Sequence, residues 1–219
     1  MKHAIFKTGF AILVGCLMIA VHGAQAQPLT LDFANVANAD IAFSGASTFA
    51  FVTGSGGEDF NITNDPGGNG SSIGLTGLIG GTFTIGTITT VGSVSTAPVT
   101  GAGSLSISGL TATLDWVDIT QVGTGGTLND NGVLDLTNIS YAGSNADLKQ
   151  LAENTKGTAT LTFQFIPAVS LSTLKSTAES TSYSGSLVNQ VPDGGMTICL
   201  LGMALAGVEG VRRSKLLRF

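Results

Sequence analysis

Thr160-Leu161-Thr162-Phe163-Gln164-Phe165 carries an apolar side chain at every second position. A period of two belongs to a strand with one buried face, so Leu161, Phe163 and Phe165 are expected inward, with the threonines and Gln164 outward. The same alternation recurs upstream in Thr82-Phe83-Thr84-Ile85 and in Ser104-Leu105-Ser106-Ile107. Residues 29–36, 46–53, 59–63, 110–120 and 132–141 read as further strands, and clusters of turn-forming residues at 64–70, 123–126 and 129–132 separate them. Only residues 144–156 break the pattern. There Ser144 and Asp147 stand in capping-box order, Leu148, Leu151 and Ala152 recur at helical spacing, and Gly157 follows as a stop. The expectation is an all-β chain: an antiparallel β-sandwich, jelly-roll-like in its run of short strands, with one short helix packed across an edge or end of the sheets. A β-solenoid would need a fixed internal period, and the Gly/Thr-rich residues 80–103 have none.

Outward from this region the composition changes at both ends. The chain has 219 residues, of which nine are Lys or Arg and fourteen are Asp or Glu, less than half the usual charge content. Its mean hydropathy is nevertheless +0.39, and the excess is concentrated in two short terminal runs. Lys2, His3 and Lys7 precede an uncharged apolar run from Gly9 to Val21, and Ala24-Gln25-Ala26 then supplies small residues around a cleavage point. This order predicts a secretory signal peptide over residues 1–26, cut after Ala26 by signal peptidase. Thirteen apolar residues are too few for the roughly 20 that a permanent span requires.

At the other end, Val191-Pro192-Asp193-Gly194-Gly195 keeps the backbone out of a helix. An apolar run from Met196 to Val211 follows, interrupted by Glu209, and then Arg212, Arg213, Lys215 and Arg218. Positive charge there holds that end in the cytoplasm, and the short run makes a marginal anchor. The three parts, Val191-Pro192-Asp193-Gly194, the Leu/Gly/Ala-rich residues 200–207 and the Arg212-Arg213 tip, resemble the PEP-CTERM protein-sorting signal in its Val-Pro-Asp-Gly variant. In that family the signal is read by an exosortase, a membrane-embedded enzyme expected to cut near the motif and pass the protein to a surface acceptor. The resemblance implies an exported cell-surface or extracellular-matrix protein of a biofilm-forming Gram-negative bacterium, held transiently at the inner membrane, with exopolysaccharide as an expected partner. Residues 110–118, 138–147 and 163–165 are also similar to passengers that accompany such signals, most of which have no assigned activity. The expected organisation is a signal peptide (1–26), a β-sandwich passenger (27–190) and a sorting signal (191–219).

The passenger holds twelve Asp or Glu against three Lys and no Arg, a formal charge of −9. So acidic a surface repels nucleic acid. His3, His22 and Cys16 lie in the leader and Cys199 in the C-terminal apolar run, so the passenger sequence has neither His nor Cys. That removes Ser-His-Asp and Cys-His catalysis, His- or Cys-ligated zinc, and disulfides from its chemistry. Asp115 and Asp118 flank the sole tryptophan, Trp116, but a spacing of three is expected to set them on opposite strand faces, unlike a glycosidase pair. The expectation is therefore a non-enzymatic protein with no required cofactor and Trp116 in the core. Calcium is the one ion the residues suggest. Hard oxygen donors gather at Glu58, Asp59, Asn61, Asn64 and Asp65, and again at Asn129, Asp130, Asn131 and Asp135. Those same residue types also make ordinary turns. The alternative function is accordingly a calcium-dependent carbohydrate-binding or adhesion module, with Asp59, Asp65, Asp130 and Asp135 as ligands and Trp116, Tyr141 and Tyr183 as sugar contacts.

Overall fold

The alternating stretch forms the strand its period requires. Ala159, Leu161 and Phe163 are buried on one face of Lys156–Phe163, and Thr160 and Thr162 face solvent. Phe165, just past the strand's end, is buried too. The computed structural model describes residues 28–124, 127–153 and 155–189. In chain order these hold β1 (Thr30–Asn35), β2 (Asp40–Ser44), β3 (Thr48–Val52), β4 (Phe60–Asn64), β5 (Thr76–Ile85), β6 (Thr89–Val91), β7 (Val94–Thr100), β8 (Ala102–Ile107), β9 (Leu110–Thr124) and β10 (Thr127–Ser140), followed by α1 (Ala146–Ala152), β11 (Lys156–Phe163), α2 (Leu171–Leu174), β12 (Ala178–Thr181) and β13 (Tyr183–Asn189).

Among the described residues every strand pairing is antiparallel, and the fold is an all-β sandwich. One sheet runs β4-β1-β13-β11-β10-β9 and the other begins β12-β2-β3-β5. They are joined because β5 changes sheets along its length: Gly77–Gly81 pairs with β8, whereas Thr82–Thr84 pairs with β3. β7 and β8 follow one another along β9, pairing with its residues 118–122 and 110–115 respectively. At the bend Gly81 and Gly101 adopt φ of 122° and 126°, conformations that side chains with a Cβ rarely take. Through β5 and β8 the pairings of β1, β4, β5, β8, β9, β10, β11 and β13 close into a ring.

Between the sheets lies one apolar core. Phe49, Phe83 and Trp116 meet at its centre, with ring centroids 4.7 to 5.4 Å apart, and Phe33 and Phe60 form a second group at 4.8 Å. Large rings find room because glycine stands beside them. A Cβ on Gly132 would run into the Trp116 ring, one on Gly77 into Phe60, and one on Gly185 into Phe33. Phe33–Gly185 and Phe60–Gly77 are direct cross-strand pairs, in which the ring covers the backbone that glycine leaves bare.

Several local expectations are corrected. Residues 129–132 form no turn and lie inside β10, because Gly132 makes space for Trp116 and Asp130 has a partner across the strands. α1 covers residues 146–152, and its N-cap is Asn145, whose Oδ1 accepts the Leu148 N–H at 3.0 Å, in place of Ser144. A bulge in β9 opposes Val133 to Asp118 and Leu134 to Trp116, leaving Val117 unmatched. The extra residue brings Asp115 and Asp118 onto the same outer face, so their spacing of three does not separate them.

Candidate functional site

The most organised group of polar side chains joins the start of α1 to the loop after β4. Asn145 has the extended backbone of an N-cap and directs Asp147 inward, where it is 1% exposed. One carboxylate oxygen, Oδ1, accepts the backbone N–H of Asn69 at 2.9 Å. The other, Oδ2, accepts the Ser72 N–H at 3.0 Å and the Ser71 hydroxyl at 2.8 Å. Asn145 adds a bond from its Nδ2 to the Ser71 carbonyl at 2.7 Å. Within the loop, Asp65 Oδ2 accepts the Gly70 N–H at 2.6 Å. Gly68 lies between the two acids: a Cβ there would sit 2.8 Å from Asp65 Oδ2 and 2.9 Å from Asp147 Oδ1. Burial pushes the Asp147 carboxyl up, but the hydrogen bonds from Asn69, Ser71 and Ser72 together with the contact to Asp65 outweigh it and hold the pKa below the usual value. The group is an ionised latch, fastening a Gly-rich loop to a helix 75 or more residues away in sequence.

A second buried acid has the opposite environment. Asp130 is fully buried on β10, and its Oδ1 accepts one bond, from Gln121 Nε2 at 2.8 Å. Gln121 also donates to the Val169 carbonyl at 2.9 Å and accepts the Leu171 N–H at 2.8 Å, so it ties the hairpin β9–β10 to the segment leading into α2. Among the described residues Asp130 Oδ2 is buried without a partner. Burial raises the carboxyl to a pKa of about 7, against a smaller lowering by Gln121.

The calcium candidates proposed from sequence are dispersed. Asp59 is buried, and its Oδ2 accepts the Ile79 N–H at 2.6 Å. Asp65 belongs to the latch. Asp130 points into the core, away from the exposed Asn129, Asn131 and Asp135. Asp135 is the cross-strand neighbour of Asp115 on an exposed sheet face. Among the described residues no group of three or more His, Cys, Asp or Glu is placed to hold a metal ion. The proposed sugar contacts are corrected as well: Trp116 and Tyr183 are 4% and 3% exposed. Trp116 Nε1 donates to the Asp118 carbonyl at 2.7 Å and the Tyr183 hydroxyl to the Asp59 carbonyl at 3.1 Å, so each ring is held in the core by its polar end. Tyr141 is half-buried, and its hydroxyl accepts the Asn145 N–H at 3.2 Å.

By sequence Asp147 has only a capping role, because its partners are 75 or more residues away and no spacing rule connects them. Ala24, Ala26, Val191, Pro192, Asp193, Gly194, Arg212 and Arg213 lie outside the described residues. Among the described residues no helix is long and apolar enough to cross a membrane. The chain matches no family model, no curated protein and no solved structure among known proteins.

Proposed function

We propose that the chain is an exported, non-enzymatic cell-surface or extracellular-matrix protein, delivered by an exosortase and associated with exopolysaccharide. The carrying observation is the ordered set of Val191-Pro192-Asp193-Gly194, an apolar run and Arg212-Arg213, paired with a leader that ends at Ala26. Each part has a mechanical role. The apolar run stalls the exported chain in the membrane, the arginines fix its orientation, and the Pro-Gly stretch offers an extended peptide to the processing enzyme. Cleavage chemistry belongs to that enzyme, so the chain itself needs no catalytic group. The passenger's buried acids fit this reading: Asp59, Asp130 and Asp147 are engaged in holding strands and loops together.

The test is co-expression with an exosortase. The unaltered chain should lose its tail, read as a mass decrease in the recovered protein. Pro192→Ala and a deletion from Val191 onward should both remain unprocessed; equal processing of all three refutes the proposal. The alternative, a calcium-dependent adhesion module, retains the approach of Asp65 and Asp147 over Gly68. Those carboxylates already accept N–H and O–H donors, which favours the structural reading. Millimolar calcium should leave the melting temperature unchanged; a saturable rise abolished by Asp65→Asn supports the alternative instead.

A further inference from the structure

The strand order ends at β12 on one side and at β6 on the other. A terminal strand presents unpaired N–H and C=O groups, and natural sheets guard such edges with charge, proline or a covering segment. β12 carries Glu179. Among the described residues β6 carries no such guard: Thr89, Thr90 and Val91 are all exposed, Val91 at 75%. All three are β-branched, the side-chain class best suited to a strand. No charged residue occurs between Asp65 and Asp115, so β5, β6, β7 and β8 are uncharged in a passenger of formal charge −9. Copies of so acidic a domain repel one another over the surfaces that bear carboxylates. The β5–β8 region lets them approach without opposing acids. The face beside this edge is apolar as well: Val91 is paired with Val94, and Val94 with Val122, which is 40% exposed, so a row of valines runs up to the edge.

We propose that β6 is a self-association edge, on which the β6 of a second copy of this chain docks antiparallel about a two-fold axis. Centred on Thr90, that pairing sets Thr89 of each copy beside Val91 of the other, so each valine row packs against a β-branched threonine of the partner copy. The contact uses the same surface on both copies and closes at two. A three-residue ladder is short, so the association is weak in dilute solution and becomes populated where many copies are held on one surface.

Disulfide trapping tests this in the full-length chain, in mild detergent, with Cys16 and Cys199 changed to Ser. At the two-fold position the paired Cα atoms would lie about 4.5 to 5.5 Å apart, within disulfide reach. Under mild oxidation Thr90→Cys should form a covalent dimer several-fold faster than Ser180→Cys, an exposed cysteine on the opposite edge. Adding Val91→Lys to Thr90→Cys should remove that advantage. Equal rates at the two edges, absence of dimer from both, or an advantage that survives Val91→Lys would each overturn the proposal. Because both cysteine variants carry the same terminal segments, the difference between them does not depend on how the chain is sorted.

Discussion

Stability of the passenger should fall as pH rises from about 4 to 7, through one residue. In the unfolded chain Asp130 loses its proton near the ordinary value of 3.8, whereas in the folded protein it keeps it until about pH 7. Between those values the folded state binds more protons, so raising the pH favours unfolding. At 1.36 kcal/mol per pH unit, the interval amounts to about 4 kcal/mol, fully lost above pH 7 and fully present below pH 4. The structural cause is the single hydrogen bond from Gln121 and the buried, unpartnered Oδ2. Asp130→Asn should therefore add roughly 4 kcal/mol more at pH 8 than at pH 4, on top of a pH-independent offset for placing an amide in that pocket. The assay is urea unfolding of residues 27–190 at a series of pH values, followed by Trp116 emission, with the variant curve subtracted from that of the unaltered protein. Asp147 acts at lower pH and with the opposite sign: its lowered pKa makes stability fall as pH drops below the ordinary carboxylate value. A difference between the two proteins that stays flat from pH 4 to 8 would show that Asp130 is not held protonated.

Three further outcomes are expected. Gly132→Ala should cost about 2 to 3 kcal/mol in the same unfolding assay, because the added methyl enters the space of the Trp116 ring; an unchanged midpoint would mean the ring is not fixed there. Asp147→Ala strands the N–H groups of Asn69 and Ser72 and should cost about 2 to 4 kcal/mol, with faster hydrogen exchange at those two amides as the local readout. Trp116 emission should be blue-shifted, poorly quenched by acrylamide and indifferent to added polysaccharide, since the ring is 4% exposed; a response to polysaccharide would revive the sugar-contact reading.

How much of this was legible in sequence depends on whether neighbours along the chain carried the information. Leu161, Phe163 and Phe165 read correctly because strand period and burial coincide there. β13 escaped notice because its inward positions are Tyr183, Gly185, Leu187 and Asn189, and only two of these give an apolar signal. Gly185 belongs inside because Phe33 from another strand covers it. The same holds for Asn129-Asp130-Asn131-Gly132, whose composition says turn. Gln121 and Trp116 on the adjacent strand supply what each inward residue needs, and the segment extends as strand. The bulge at Val117 shifts the alternation by one residue, so a rule based on uninterrupted period two misassigned Asp118. In the candidate site, proximity in sequence grouped Asp59 with Asp65, while folding separated them and joined Asp65 to Asp147 through the loop around Gly68.

The pairing of the first and last described strands bears on how the domain carries load. Thr30 of β1 lies opposite Val188 of β13, so the chain enters and leaves the sandwich side by side, and β13 is itself flanked by β1 and β11. A protein fastened through the chain beyond Asn189 and dragged from its far end would pull β13 along its own axis. Its ladders on both sides would then be sheared together rather than unzipped one bond at a time, a geometry suited to withstanding tension.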